Sequence, residues 1–316
     1  MTLKRLWELW NQFWFEERSP LPMAAYRILF SLHVLGFVLL MLPDLSNWYG
    51  SQGLITSAAN KEWLITDRFS LFAWLPDTPW AIYGAFALLF ITAITTGLGL
   101  FTRTSLLVLS LALFSIHHRN LIILNSGDLF MRLSAVYLLL SPAGNALSLD
   151  NLIRKKSGRS TPATSPIWAQ RLLQLQLCTV YLQSSLAKLA GETWCDGTAI
   201  YYVGRLLDFQ KLPVPWVFDN MFLIKLLTWG TLVVEFALWT LIWVKEFRYY
   251  ILAAGILLHL GIEWSMNIPM FESQMICAYV VFVDPVDIQR FIDRIRSLFS
   301  RRPIGLEKAV VAHDGL

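Results

Sequence analysis

Apolar residues in this chain gather into long runs, and polar residues mark the breaks between runs rather than alternating within them. A helix needs about 20 mostly apolar residues to cross the hydrocarbon of a bilayer. By that measure the pattern predicts about eight transmembrane helices, at about 23–42, 80–101, 105–124, 128–141, 168–190, 221–244, 249–264 and 270–283. Pro43-Asp44 stops the first, and Thr102-Arg103-Thr104 leaves only a tight connection between the second and third. Asn125-Ser126-Gly127-Asp128 reads as a turn carrying a helix N-cap. Lys245-Glu246-Phe247-Arg248 separates the sixth from the seventh. Asn267-Ile268-Pro269 breaks the chain before the eighth, because proline removes a donor and clashes with the preceding turn. The fold class that follows is all-α: a polytopic membrane helix bundle over 20–285, with no second soluble domain and no internal repeat. Residues 1–19 mix charge with aromatic rings and read as an interfacial helix, not a cleaved signal. Residues 286–316 read as a basic tail carrying Arg290, Arg294, Arg296, Arg301 and Arg302.

Composition strengthens this. Only 15% of the 316 residues are charged and 56% are hydrophobic, whereas a soluble domain is roughly a quarter charged. The net charge of +4 does not point to nucleic acid, because the basic residues lie beside apolar runs, where they set topology. Lys4, Arg5, Arg103, the Arg154–Arg159 cluster, Lys245, Arg248 and the tail arginines fall on one side. Lys61, Arg68, Arg205 and Lys211 fall on the other, in longer loops. Both termini are therefore expected in the cytoplasm, with the 44–79 and 191–220 loops facing outward. Cys178, Cys195 and Cys277 have no spacing that suggests a disulfide framework or a zinc knuckle.

Ionisable groups inside apolar spans are costly and usually face a protein interior or a watery cavity. On the expected topology, His117, His118, Arg119, Asn125, Asp128, Lys188, His259 and Glu263 all reach the outer membrane level. This predicts an outward-facing cavity; the alternative is helix ends touching headgroups, with Lys188 snorkelling. Gln174, Cys178, Tyr181, Ser185 and Lys188 follow helical spacing and form one polar stripe on the fifth span. A lysine in an apolar wall loses solvation for its ammonium form, which favours an amine available as base or nucleophile. The bland reading makes Lys188 the charged partner of Asp128 or Glu263. Asp128 and Arg132, four residues apart, read as a structural pair. Glu235 and Arg27 have no partner that the sequence names. His117, His118, His259 and Glu263 lack a defined ligand spacing, so no metal is predicted. Walker, Rossmann, hydrolase-elbow and kinase signatures are absent.

Several stretches together resemble the HTTM (horizontally transferred transmembrane domain) family, whose best-known member is the vitamin K-dependent gamma-carboxylase. Leu21-Pro22-Met23-Ala24-Ala25-Tyr26-Arg27-Ile28-Leu29-Phe30 is similar to its opening span. Gly97-Leu98-Gly99-Leu100-Phe101-Thr102-Arg103 is similar to its "GlxTR" turn, and Arg119-Asn120 with Asn125-Ser126-Gly127-Asp128 to its "RN…NgGD" element. Ser148-Leu149-Asp150, and His259 with Phe271 and Phe282-Val283-Asp284-Pro285, resemble later parts. The sharpest likeness is Ala187-Lys188-Leu189-Ala190-Gly191-Glu192-Thr193-Trp194-Cys195-Asp196-Gly197. In the carboxylase the matching lysine is the base that deprotonates vitamin K hydroquinone. Oxygenation then gives a strong base that removes a glutamate gamma-proton, and carbon dioxide adds. Two features depart from the carboxylase: Asn145 stands where it has a histidine, and a basic tail follows the last span where it has a large lumenal region that holds propeptide and substrate.

The resemblance implies that Lys188 is the base; taken with the intramembrane polar residues, the expectation is a bacterial plasma-membrane enzyme with Lys188, His259 and Asp128 as catalytic residues. Asn125, His118, Arg119, Tyr181 and Trp194 would bind a reduced quinone, with O2 and CO2 as co-substrates and an exported peptide as a further partner. The alternative is a non-catalytic membrane factor for maturation or export of a secreted peptide. A small transporter is a weaker third reading, since no inverted repeat accompanies the break at Pro269.

Overall fold

The computed structural model describes residues 2–63, 68–211 and 215–300, and its architecture is all-α. Arg301 and Arg302 lie outside the described residues, as does the rest of the expected tail beyond 300. The principal helices are α1 (Leu3–Phe15), α2 (Leu21–Met41), α3 (Pro79–Leu98), α4 (Thr102–Arg119), α5 (Ser126–Leu140), α6 (Leu149–Lys156), α7 (Trp168–Leu189), α8 (Met221–Trp239), α9 (Lys245–Ser265), α10 (Phe271–Ala278) and α11 (Pro285–Ser300). Short helical turns fill the long connections, among them Leu45–Tyr49, Ser57–Trp63, Glu192–Cys195 and Ala199–Val203. Residues 17–18 pair antiparallel with 165–166.

Neighbouring helices close a circuit. α2 packs on α3, α3 on α4, α4 on α5, α5 on α7, α7 on α8, α8 on α9, α9 on α10, and α10 back on α2. Inside it, Tyr26, Phe30, Val34, Phe37, Phe86, Leu113, Phe130 and Met275 form a continuous buried core. Outside it, Leu32, Leu40, Ile91, Leu107, Val233 and Leu257 are exposed, so the wall is apolar on both faces. Among the described residues, three helical stretches are long and apolar enough to cross a membrane: Leu21–Tyr49, Pro79–Leu98 and Met221–Trp239. α7 and α9 are as long but more polar, and Gln170, Gln174, Tyr181 and Ser185 of α7 and His259 of α9 are buried. Buried hydrogen bonds tie the circuit together. Gln170 and Gln174 both donate to the Val281 carbonyl at 2.7 Å. Gln274 donates to the Tyr26 hydroxyl at 3.1 Å, which donates to Ser134 at 2.9 Å. Where lipid is as apolar as leucine, such bonds and close packing hold helices together, at about 0.6 kcal/mol each.

Helix limits follow local chemistry. α3 ends at Gly99, which adopts φ 67°. A Cβ there would also lie 2.3 Å from the Ser148 Cβ, so the position needs both the freedom and the small size of glycine. α4 ends at Arg119, five residues before the expected limit of the third span: Asn120 takes an extended backbone conformation (φ −143°, ψ 106°), and its side-chain amide donates to the Trp48 carbonyl at 2.8 Å. α9 begins at Lys245, so the charged stretch 245–248, expected as a separator, forms its first turn. After Pro269, Met270 adopts the left-handed conformation (φ 69°) and starts α10.

Candidate functional site

Lys188 sits in the last turn of α7 and meets Glu235 of α8. Its Nζ donates to the two Glu235 carboxylate oxygens at 2.8 and 3.0 Å and to the Ser184 hydroxyl at 2.5 Å. Ser184 in turn donates to Glu235 at 3.2 Å. The lysine side chain is 21% exposed and the carboxylate 8%, so the amine is the reachable half of a charge-neutral pair. The Trp194 ring lies beside it, 5.2 Å from Nζ to the ring centre, a cation–π distance. This corrects the bland sequence reading: the partner of Lys188 is neither Asp128 nor Glu263. Glu263 instead pairs with Lys211 at 2.8 Å.

Two turns earlier on the same helix, Tyr181 heads a second, fully enclosed cluster. Its hydroxyl lies 2.6 Å from His259 Nε2 and 2.6 Å from the Tyr279 hydroxyl. The other ring nitrogen of His259 is hydrogen-bonded to Glu272. All four residues are at most 3% exposed. The result is a carboxylate–imidazole–phenol–phenol chain contributed by α7, α9, α10 and the turn after it. Gly255 makes room for it, since a Cβ there would meet the Tyr279 hydroxyl at 2.5 Å. Except for Ser185, each member of the α7 stripe has a partner across the bundle: Gln174 takes Val281, Cys178 approaches the Leu238 carbonyl at 3.7 Å, Tyr181 takes His259 and Lys188 takes Glu235. Ser185 Oγ is buried without a hydrogen-bond partner among the described residues.

The third cluster lies around the start of α5. Asn125 caps that helix: its side chain accepts from Gly127 and Asp128, and Asp128 accepts from the Asn125 amide at 2.7 Å. The other Asp128 oxygen lies 3.8 Å from His117 Nε2. His117 is wholly buried, and neither ring nitrogen has a hydrogen-bond partner among the described residues; the same holds for Tyr49 Oη and for Arg132 Nε and Nη1. Asp128 thus turns to its own cap and to His117, and Arg132 lies 5.7 Å from the Phe114 ring centre. Arg119 donates to the Ile55 and Gly50 carbonyls at 3.2 and 3.1 Å, and His118 Nδ1 lies 2.5 Å from the Phe69 carbonyl. Together they hold Gly50, Ile55 and Phe69 of the connection before α3 against α4. Asn145 lies in the turn after α5, away from these clusters in sequence, and its amide donates to the Pro142 carbonyl at 2.9 Å.

The structure therefore joins Lys188 with Trp194, Tyr181 with His259, and Asp128 with Asn125. Glu235, Glu272, Tyr279 and Ser184 complete these groups and went unnamed as site residues in the sequence reading. Glu235 carried a signal, being a lone carboxylate in an otherwise apolar run; Glu272 did not, since its helix is short and broken. Among the described residues, no group of three or more His, Cys, Asp or Glu side chains is placed to hold a metal.

Comparison with known proteins adds a family match and two partial relatives. The HTTM domain matches residues 15–286. The uncharacterized protein YitO of Bacillus subtilis (strain 168) is 28% identical over 123 residues, 37% of this chain and 39% of that one. The sporulation-delaying protein SdpB of the same organism is 29% identical over 141 residues, 42% of this chain and 43% of that one. The alignments thus span less than half the length of either relative. No solved structure matches the chain.

Proposed function

The chain belongs to the HTTM domain family and is a membrane protein, and from that premise we propose that it is an enzyme in which Lys188 acts as a base on an apolar hydroxyl compound of the reduced-quinone class. The observation that carries this reading is the Lys188–Glu235 pair: a reachable amine, backed by a nearly enclosed carboxylate and flanked by an indole ring. A proton passed from the ammonium to Glu235 over 2.8 Å leaves a neutral amine with no change in net charge. That amine can then accept the proton of a bound hydroxyl group. Trp194, with its ring centre 5.2 Å from Nζ, offers an aromatic surface beside the amine against which a phenolic ring could lie. When bound, a quinol supplies reducing equivalents to O2, and CO2 is the group that is added. On this reading His259 holds the Tyr181 hydroxyl in place two turns before Lys188, and Asp128, Asn125, His118 and Arg119 would act in binding the substrate. We also read eight spans with both termini cytoplasmic in a bacterial plasma membrane, on the distribution of lysine and arginine.

The test is lipid extraction with mass spectrometry on wild type and Lys188→Met, together with quinol-dependent incorporation of labelled CO2 into peptide. A co-purifying redox lipid and incorporation that vanishes in the variant support the reading. Unchanged incorporation in Lys188→Met sinks it. The second reading, a non-catalytic factor for maturation or export of a secreted peptide, draws on the same ion pair as a structural clamp. It is favoured if a Lys188→Met/Glu235→Leu double variant, neutral and well packed, keeps full biological function.

A further inference from the structure

The end of the bundle opposite Lys188 contains a second site of different chemistry. Arg171 and Lys188 lie roughly 26 Å apart along α7 at about 1.5 Å per residue. Beside Arg171 is a cavity of about 240 Å³, bounded by the end of α1, the first turn of α7, the start of α9 and the turn into α11. For scale, a cavity of ~150 Å³ accepts benzene. Four cations line it, Arg18, Arg171, Lys245 and Arg248, against the single carboxylate of Asp284. Arg18 is paired with Glu16 at 2.8 Å. Arg171 is fixed: its guanidinium stacks on Phe13 at 4.7 Å and near Trp243 at 5.6 Å, with Nε donating to the Phe13 carbonyl and Nη1 to Gln174. Its Nη2 has no protein partner among the described residues, and neither does the exposed Lys245 ammonium. Like charges held this close repel, so the arrangement is relieved by an anion.

The surroundings indicate where that anion comes from. α1 exposes Leu6, Trp7 and Trp10, and α11 exposes Phe291 and Leu298, while both helices carry charge on the opposite side. Helices of this kind lie in the plane of the membrane interface, where tryptophan also concentrates. Phe13 of α1 and Pro285 of α11 both line the cavity, which puts it at headgroup depth if the two helices lie in the interface. We propose that it binds the phosphate diester of an anionic phospholipid, with the acyl chains lying along the outside of the bundle. Basic pockets at the ends of membrane helices recognise headgroups in this way.

Native mass spectrometry of the full chain in detergent tests this, with phosphatidylglycerol or phosphatidylcholine added to wild type, Lys245→Glu and Arg171→Gln/Arg248→Gln. The expected result is preferential retention of phosphatidylglycerol by wild type, falling about fivefold for each cation removed. The Lys245 side chain is exposed and has no hydrogen-bond or ion-pair partner among the described residues, so Lys245→Glu decides even where the double variant melts early. Equal retention by wild type and Lys245→Glu, or equal binding of the two lipids, overturns the site. Displacement of phosphatidylglycerol by inorganic phosphate at comparable concentration overturns the lipid as its source.

Discussion

Glu235 is worth more to this protein than its single charge suggests. Removing it leaves the Lys188 ammonium in a mostly dry setting with only Ser184 and Trp194 beside it. Breaking one half of such a pair costs about 3 kcal/mol, whereas replacing both halves by apolar groups is often neutral. Glu235→Gln is therefore expected to lower the apparent Tm in detergent by several degrees, and Lys188→Met/Glu235→Leu to recover most of the loss. A double variant as unstable as the single one would mean that the pair is not the source of the effect. Tyr181→Phe removes the phenol that joins His259 to Tyr279 and leaves two buried groups short of a partner. The expected cost is about 1–3 kcal/mol, read from thermal unfolding monitored by tryptophan fluorescence; an unshifted transition would count against the buried chain.

At the level of elements, the turn between α3 and α4 is set by Gly99 and one carboxylate. Asp150 accepts from the Phe101 and Thr102 amides at 2.9 and 2.8 Å and from the Thr102 hydroxyl at 2.7 Å, so it caps α4 from the distant helix α6. Burial pushes the Asp150 carboxyl up, but the Thr102 and Phe101 donors and nearby Arg154 outweigh it and hold the group below the ordinary carboxylate range. A depressed carboxylate contributes stability that is fully present above its unfolded-state value and is lost as pH falls through the folded-state value. Unfolding between about pH 5 and 2 should thus be steeper in wild type than in Asp150→Asn, and parallel acid profiles would reject the cap. Gly99→Ala combines a left-handed φ with a clash against Ser148 and is expected to cost more than about 1 kcal/mol, seen as a lower yield of monodisperse protein and a lower Tm.

For the whole molecule, the run lengths of apolar residues were enough to anticipate an all-α architecture, because hydrocarbon imposes one length scale on every helix that faces it. The odd polar residues in those runs, Lys188 above all, pointed to buried partners for the same reason: charge inside an apolar helix needs a partner. Which partner was not legible. Lys188 meets Glu235, forty-seven positions away, through the packing of α7 on α8, and Tyr181 meets His259 and Tyr279 from two further elements. Helical spacing states which residues share a face, not which face of another helix lies opposite. Whereas Asn125 caps its own helix as its sequence suggests, the motif residues Arg119, Asn120 and Asp150 illustrate the same limit. Their sequence pattern was plain, yet what they touch here, carbonyls and helix ends of remote segments, emerges only once the circuit closes.

Arg27 carries a consequence for how the chain is made. Its guanidinium is completely buried and donates to the carbonyls of Gly97, Ala143, Ala146 and Leu147, as far as 120 positions along the chain. Synthesis runs at roughly 5–20 residues per second, so the first apolar helix leaves the ribosome roughly 6–24 s before its last acceptor exists. Until Gly97 follows, the cation has only headgroups or the insertion machinery for company, and α2 can reach its final place only after residue 147 has emerged. Nascent chains arrested near residue 90 should consequently crosslink from α2 to lipid or translocon, and chains arrested well past 180 should not. Identical crosslinking at both lengths would show that the helix settles without its acceptors. The order of translation would then place no timing constraint on the assembly of this membrane protein.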